Sequence, residues 1–390
     1  MRRPFLLLAP LIATAVLAAP AAAEVRTGPQ GAAFYKPPTQ LKGKHGALIW
    51  ARRQTGPDAL KGASKDQLLL YRSTSVVGKK IAVSGSLALP KGKAPRGGWP
   101  VITYAHGTTG AADACAPTRG FDASNLVSYA YPLVQRWLKA GYAIVRTDYE
   151  GLGTPGVHPY LLGESEGRSV LDAVRAARAL EPRLSKRFVI AGHSQGGHAA
   201  LFAASLAKKW VPELQLRGTV AFAPASHLET QFRATLSIPS AGGGLGAIVG
   251  LGLRAVDTVV PGLGVPGLLT ARAGAVYPQT ATVCYDALDE ASSFGGVPLN
   301  EILQSGVNLE PLFATIAGSD PEKLSIKTPV RIEQGDADGT VFKVFTDQLV
   351  DQYKTGGVKV TYKVYPGVSH GGVVDAGAKD SATWIKGRFK

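Results

Sequence analysis

Thioethers and thiols are nearly missing from this chain: Met1 is its one methionine, and Cys115 and Cys284 are its two cysteines. Charge is sparse too, at 18% of residues against the usual quarter, while Gly (47) and Pro (26) are plentiful. That balance disfavours a disordered or coiled-coil chain and favours a globular, loop-rich one. Internal repeats are absent. So is any dense basic patch. The net charge is +15, two units of it from Arg2 and Arg3, yet the Lys and Arg are scattered, with "LKGKH" at 41–45 and "KGK" at 91–93 the nearest to clusters. The scatter argues against nucleic acid as a ligand; the charge reads as solubility and weak attraction to anionic surfaces or lipid. Past the N-terminus the most apolar stretch, 237–274, is loaded with glycine and broken by Arg254 and Asp257, which argues against a membrane span.

What is present begins with "MRRPFLLLAPLIATAVLAAPAAAEV". Two arginines, an apolar stretch and Ala21-Ala22-Ala23 read as a signal peptide over 1–23, cut near Ala23. The expected location is extracellular or periplasmic. Free thiols are a liability there, so an even pair predicts a Cys115–Cys284 disulfide.

Residues 24–65 show little periodicity and are expected to wrap the surface. From 66 onward, strand and helix patterns alternate. Strands are expected at 66–75, 79–90, 99–107, 142–151, 187–192 and 216–225, with helices over 125–141, 164–180 and after Ser194. The alternation returns at 327–390. This predicts an α/β fold, a mostly parallel sheet with helices on both faces and functional residues at the carboxyl ends of strands. Residues 226–326 break the rhythm and are expected to form an inserted cap or lid, the core being 66–225 and 327–390.

The sharpest chemical signal is "FVIAGHSQGGHAALFAASLA" (188–207). G-x-S-x-G between a strand and an Ala-rich helix is a nucleophile elbow. Its turn is so tight that Gly192 and Gly196 have no room for a Cβ, and it presents Ser194 at a helix N-terminus, where amides favour developing negative charge. Serine needs a base. Of the seven histidines, His45, His158 and His227 fall in loops elsewhere, His193 and His198 flank the elbow too closely, and His106 belongs to a loop it is expected to brace. His370, in "YPGVSHGG" after the last strand, remains. The orienting acid is expected in "EQGDADGTVF": Asp338 is favoured by the usual QG-x-x-D loop, with Asp336 as a turn-former and Glu229 as a weaker alternative. The oxyanion donors are expected to be the amides of Gln195 and Thr108, with Gly107 and Thr109 as neighbours in register.

Together, "YAHGTTGAADACAP", "TDYEGLGTPGVHPYLLGESEGRSVLDAVRA", "GHSQGGHAALFAA", "QGDADGTVF" and "GVSHGG" resemble the secretory lipase family of α/β-hydrolases over about residues 65–390. The resemblance implies a Ser194–Asp338–His370 triad, no metal or other cofactor, ester substrates and an inserted cap over an acyl pocket. It makes Asp148 and Glu150 bracing acids, which as bare residues read equally well as surface turn formers. Lipase and carboxylesterase share these residues, so the motifs do not separate them. A peptidase of the same fold would need an acidic anchor, for which Glu229, Asp286, Asp289 and Glu290 are candidates, and a non-catalytic relative would be expected to have lost a triad member.

Overall fold

The structure is a computed structural model that describes residues 26–55, 59–120 and 128–390. The expected signal peptide, 1–23, lies outside the described residues, as do 121–127 at the start of the helix expected over 125–141.

Nine strands form one sheet in the order β1-β2-β3-β5-β4-β6-β7-β8-β9. β1 (Leu48–Arg53), β2 (Lys65–Thr74) and β3 (Lys80–Leu89) are antiparallel, and β3 pairs antiparallel with β5 (Ala143–Thr147). From β5 onward every pairing is parallel, through β4 (Trp99–Ala105), β6 (Leu184–His193), β7 (Gln215–Phe222), β8 (Val330–Gly335) and β9 (Val360–Tyr365). The central strands read as continuous apolar runs because both faces are covered. Helices α1 (Tyr131–Lys139), α10 (Val373–Ala376) and α11 (Ala378–Arg388) pack on one face, and α2 (Gly163–Leu180), α3 (Gln195–Trp210) and α9 (Lys343–Thr355) on the other. α1 ends where expected: Gly141, at φ +95°, lies just beyond its last turn.

One expectation fails. Residues 24–65 do not merely wrap the surface: they supply the edge strand β1, and Phe34, Tyr35 and Trp50 form a buried cluster against Leu68 and Leu70. The single strand "LIWARR" sits among Gly, Pro and Lys, too short for its period to stand out.

Between β7 and β8 lie α4 (Leu228–Thr235), α5 (Gly244–Val259), α6 (Ala271–Val276), α7 (Tyr285–Asp289) and α8 (Glu310–Ala317). They share their own apolar core, centred on Phe232, Leu251, Phe294 and Leu312, which extends to Tyr160, Leu161 and Leu162 of the main body. The two cysteines are bonded to each other, joining the loop after β4 to the start of α7 with Cα atoms 5.5 Å apart. No single helix among the described residues is long and apolar enough to cross a membrane.

The glycines of α5 are packing devices. A Cβ at Gly246 would lie 2.5 Å from the carbonyl oxygen of Phe294, and one at Gly252 would lie 2.5 Å from the Phe232 ring. Replacing an interior helical glycine by alanine adds about 1 kcal/mol of intrinsic stability, but overpacking costs about 1–3 kcal/mol. Gly246→Ala should therefore lower the thermal midpoint, whereas Gly274→Ala in α6, with nothing within 4 Å of the new methyl, should raise it. Thermal melts of the two variants check this.

The insert returns to the body through Asp320, whose carboxylate accepts from the Leu228 amide at the start of α4, while Glu322 accepts from the His227 amide. Burial, then the neighbouring Glu322 charge, pushes the Asp320 carboxyl up to about 7. A raised acid binds its proton more tightly folded than unfolded, so its contribution to stability is whole below about pH 4 and is lost as pH rises through 7. Asp320→Asn should melt progressively later than wild type as pH is raised from 4 to 8, a gap readable by differential scanning calorimetry.

Candidate active site

β6 stops at His193 and α3 starts at Gln195, leaving Ser194 alone in the turn with φ +58° and ψ −121°. Such a backbone costs a non-glycine residue on the order of 1–3 kcal/mol and persists only when its surroundings enforce it. They do. A Cβ at Gly192 would lie 2.0 Å from the Gly196 carbonyl oxygen, and one at Gly196 would lie 2.0 Å from that of Ala105. The Ser194 amide donates to the Phe222 carbonyl of β7 at 2.9 Å, and the Ser194 carbonyl accepts from the His198 amide at 3.0 Å. The serine is thus pinned beyond the carboxyl ends of β4, β6 and β7. Its hydroxyl makes no hydrogen bond to another described residue. It lines two adjoining cavities, one of about 180 Å³ and one of about 50 Å³.

His370 lines the larger cavity with Ser194. Its Nδ1 donates to Asp338 Oδ2 at 2.8 Å, which leaves Nε2 free to act as a base. Asp338 is buried and held hard: Oδ1 accepts from the amides of Thr340 (2.9 Å) and Val341 (2.8 Å), and Oδ2 also accepts from Gln334 Nε2 (3.0 Å). Asp336 is turned elsewhere, accepting from the Gly367 amide at 2.5 Å, a loop-bracing contact. Glu229 pairs with Arg233 one turn along α4 and does not meet His370. Of the three acids weighed from the sequence, Asp338 is the one bonded to the imidazole.

Two residues beside this pair were passed over in the sequence. His193 Nε2 donates to the main-chain carbonyl of His370 at 2.9 Å, and the two rings lie 4.5 Å apart between centroids. Its Nδ1 accepts from the Tyr129 hydroxyl. Burial, reinforced by His370, holds the His193 imidazole well below its ordinary value, which disfavours the charged ring. No local signal marks it, because its partners lie 64 and 177 positions away along the chain.

Gln195 opens α3, so its backbone N–H has no partner within the helix. Its side chain is clamped from below, donating to Glu166 Oε1 and to His158 Nε2, both at 2.7 Å. His158 in turn donates from Nδ1 to the Glu150 carbonyl at 2.9 Å. His158 therefore sits beneath the elbow and not in a remote loop, and His198, which flanks the elbow as expected, meets Glu166 Oε2 there at 3.1 Å. Thr108 lines the larger cavity, with its hydroxyl 2.8 Å from that of Tyr160. His106 is buried in its loop, with ring contacts to the carbonyls of Gly107 (2.7 Å) and Asp148 (3.4 Å); burial lowers it to about 4. Asp148 and Glu150 are bracing acids. Asp148 accepts from Ser84 Oγ at 2.6 Å and from Thr118, and Glu150 accepts from the Val76 amide at 3.1 Å and from Ser165 Oγ; burial raises both carboxyls.

The smaller cavity runs toward the insert, between Leu161, Leu228, Phe232, Leu245, Ile248 and Val249. Neither cavity is lined by Glu229, Asp286, Asp289 or Glu290, so none of the acids that could anchor a peptide amine is at the candidate site.

The model of the secretory lipase family matches residues 122–256, which include the elbow. The resemblance to the secretory lipases holds. The chain is 28% identical to Lipase A of Moesziomyces aphidis over 257 residues, 62% of this chain and 54% of that one. It thus spans about half the length of such fungal relatives. Over 355 residues, 82% of this chain and 73% of the other, it is 26% identical to a protein of Mycobacterium tuberculosis named as a probable inactive lipase. Among solved structures, Candida antarctica lipase A in its closed state superposes with a TM-score of 0.74 at 19% identity, covering 89% of this chain and 82% of that one. The fold is that of the α/β-hydrolases.

The two aspartates of the 336–338 loop separate cleanly by experiment. If Asp338 orients His370 for ester hydrolysis, Asp338→Asn should lower kcat on a soluble ester on the order of 10³-fold or more, because the wrong tautomer of His370 is then favoured. Asp336→Asn, whose side-chain oxygen still accepts from Gly367, should leave it within about twofold. Steady-state kinetics on both variants read the difference.

Proposed function

We propose that the chain is a serine ester hydrolase acting on acyl esters, exported from the cell, with Ser194, His370 and Asp338 as its catalytic triad. The observation that carries this reading is the His370–Asp338 hydrogen bond at a cavity shared with the strained Ser194. His370 Nε2 removes the hydroxyl proton as Ser194 Oγ attacks the ester carbonyl. Asp338 holds the ring and stabilises the imidazolium. The backbone N–H groups of Gln195 and Thr108 receive the oxyanion, a contribution worth on the order of 10²–10³ in kcat per donor. The imidazolium then protonates the leaving alcohol. Water, deprotonated by His370, cleaves the acyl-enzyme and restores the serine.

The apolar wall of Leu161, Leu228, Phe232, Leu245, Ile248 and Val249 suits an acyl chain. At about 50 Å³ that cavity is far below the roughly 300–1,000 Å³ of ordinary ligand sites. We read the insert, 226–326, as a cap that must shift to admit a long chain. Its tie to the body through Cys115–Cys284 fits a chain that folds outside the reducing cytosol, and the secretory family points the same way.

The inactive relative favours testing a non-catalytic reading. Against that reading, serine, histidine and aspartate are all present here. The wild-type protein should label with a fluorophosphonate probe and hydrolyse p-nitrophenyl butyrate. Ser194→Ala should lose the labelling and keep only the residual rate from binding and the oxyanion donors. Turnover of a C16 ester should rise as its concentration crosses the solubility limit, while the C4 ester follows simple saturation. A protein that neither labels nor hydrolyses either ester would be a binding module.

A further inference from the structure

His370 sits in a glycine-flanked loop whose main chain is tied on either side of it, at Gly367 to Asp336 and at Ser369 to the Val373 amide. Gly367 at φ +70° precedes it, and Gly371 and Gly372 follow it. Asp338 grips only Nδ1 of the ring. That bond fixes the ring's tilt, but the ring can still pivot with the main chain beneath it. The main chain has its own anchor. The carbonyl oxygen of His370 can only accept, so the 2.9 Å contact requires a proton on His193 Nε2. His193 Nδ1 is then bare and must take its hydrogen bond from the Tyr129 hydroxyl, the partner found there. Both ring nitrogens are thus satisfied in one tautomer only. His193 is also the residue covalently next to Ser194.

We propose that His193 is a positioning residue for His370: its Nε2–H holds the His370 main-chain carbonyl and so sets the reach of the imidazole to Ser194, while Tyr129 locks the tautomer that does the holding. The tie runs from one peptide away from the nucleophile straight to the backbone of the base, so movement of the elbow and of the histidine loop is shared. Burial, which disfavours charge on His193, serves the same end. A charged ring 4.5 Å from His370 would oppose the imidazolium that forms during the reaction.

This inference rests on the triad reading. The test compares His193→Phe, which keeps a ring but loses both polar contacts, with His193→Gln, whose amide can donate and accept at similar reach. On p-nitrophenyl butyrate, His193→Phe should lower kcat by about 10- to 100-fold with KM unchanged, the scale expected for a misplaced catalytic group. Fluorophosphonate labelling should slow in step. His193→Gln should recover kcat to within about threefold of wild type. If the Phe and Gln variants have the same kcat, or if KM carries the loss, the inference is overturned. Should His193→Phe fail to fold, Tyr129→Phe replaces it: a several-fold fall in kcat at constant KM supports the inference, and an unchanged kcat overturns it. Ser194→Ala and His370→Gln keep the two readings apart. If either retains wild-type turnover, the triad reading itself fails; if both lose it while His193→Phe does not, only the positioning role fails.

Discussion

The structure hinges on a steric constraint at one corner. Between β6 and α3 the chain reverses so tightly that the backbones at 192 and 196 approach to where no side chain fits, and Ser194 is forced to a positive φ. That conformation is unfavourable in isolation and is sustained by its neighbours. β7 receives the Ser194 amide, α3 continues from it at once, and the end of β4 closes against Gly196. Helix, sheet and loop are thereby committed to one arrangement in which a hydroxyl projects from a rigid edge. A site built on such a corner is preorganised before any substrate arrives, which is where electrostatic catalysis draws its advantage.

Around this corner the polar groups form two supporting tiers. Below it, Glu166, His158 and Gln195 make a fully buried chain of hydrogen bonds. Beside it, Asp148 and Glu150 tie the loops after β5 to Ser84, Thr118, Val76 and Ser165. Unpaired, such groups would be costly in a low-dielectric interior; paired, they fix a single geometry. Carboxyls whose acidity is weakened by burial are the signature of that placement. The insert follows a different logic. It owns a separate apolar core, packed through helical glycines against aromatic rings, and meets the body at the disulfide, the Asp320 junction and an apolar seam around Tyr160 and Leu161.

The strand–helix alternation was legible because continuous apolar runs and helical periods are one-dimensional signals. The edge strand β1 was not. Its six residues are too few to establish a period, and the aromatic cluster of Phe34, Tyr35 and Trp50 becomes visible only when β2 lies beside it. At the candidate site, the elbow and the two loop residues His370 and Asp338 follow from motif and order along the chain. The loop motif already favoured Asp338 over Asp336 and Glu229, and the structure adds where those two turn instead. His193, Tyr129, His158 and Glu166 could not be given parts from sequence, because what distinguishes them is a partner dozens of residues away.

By itself, the sequence determined the fold class, the position of the strained serine and the expectation of one disulfide, since each rests on local spacing or on the chemistry of a residue type. Only the tertiary structure decided which carboxylate meets His370, which histidines serve beneath and beside the elbow, and how little room the insert leaves over Ser194. Those are outcomes of distance and burial in three dimensions. A hydrogen bond of 2.8 Å between residues 32 positions apart depends on where two strands end, and the order of letters along the chain does not encode that separation directly.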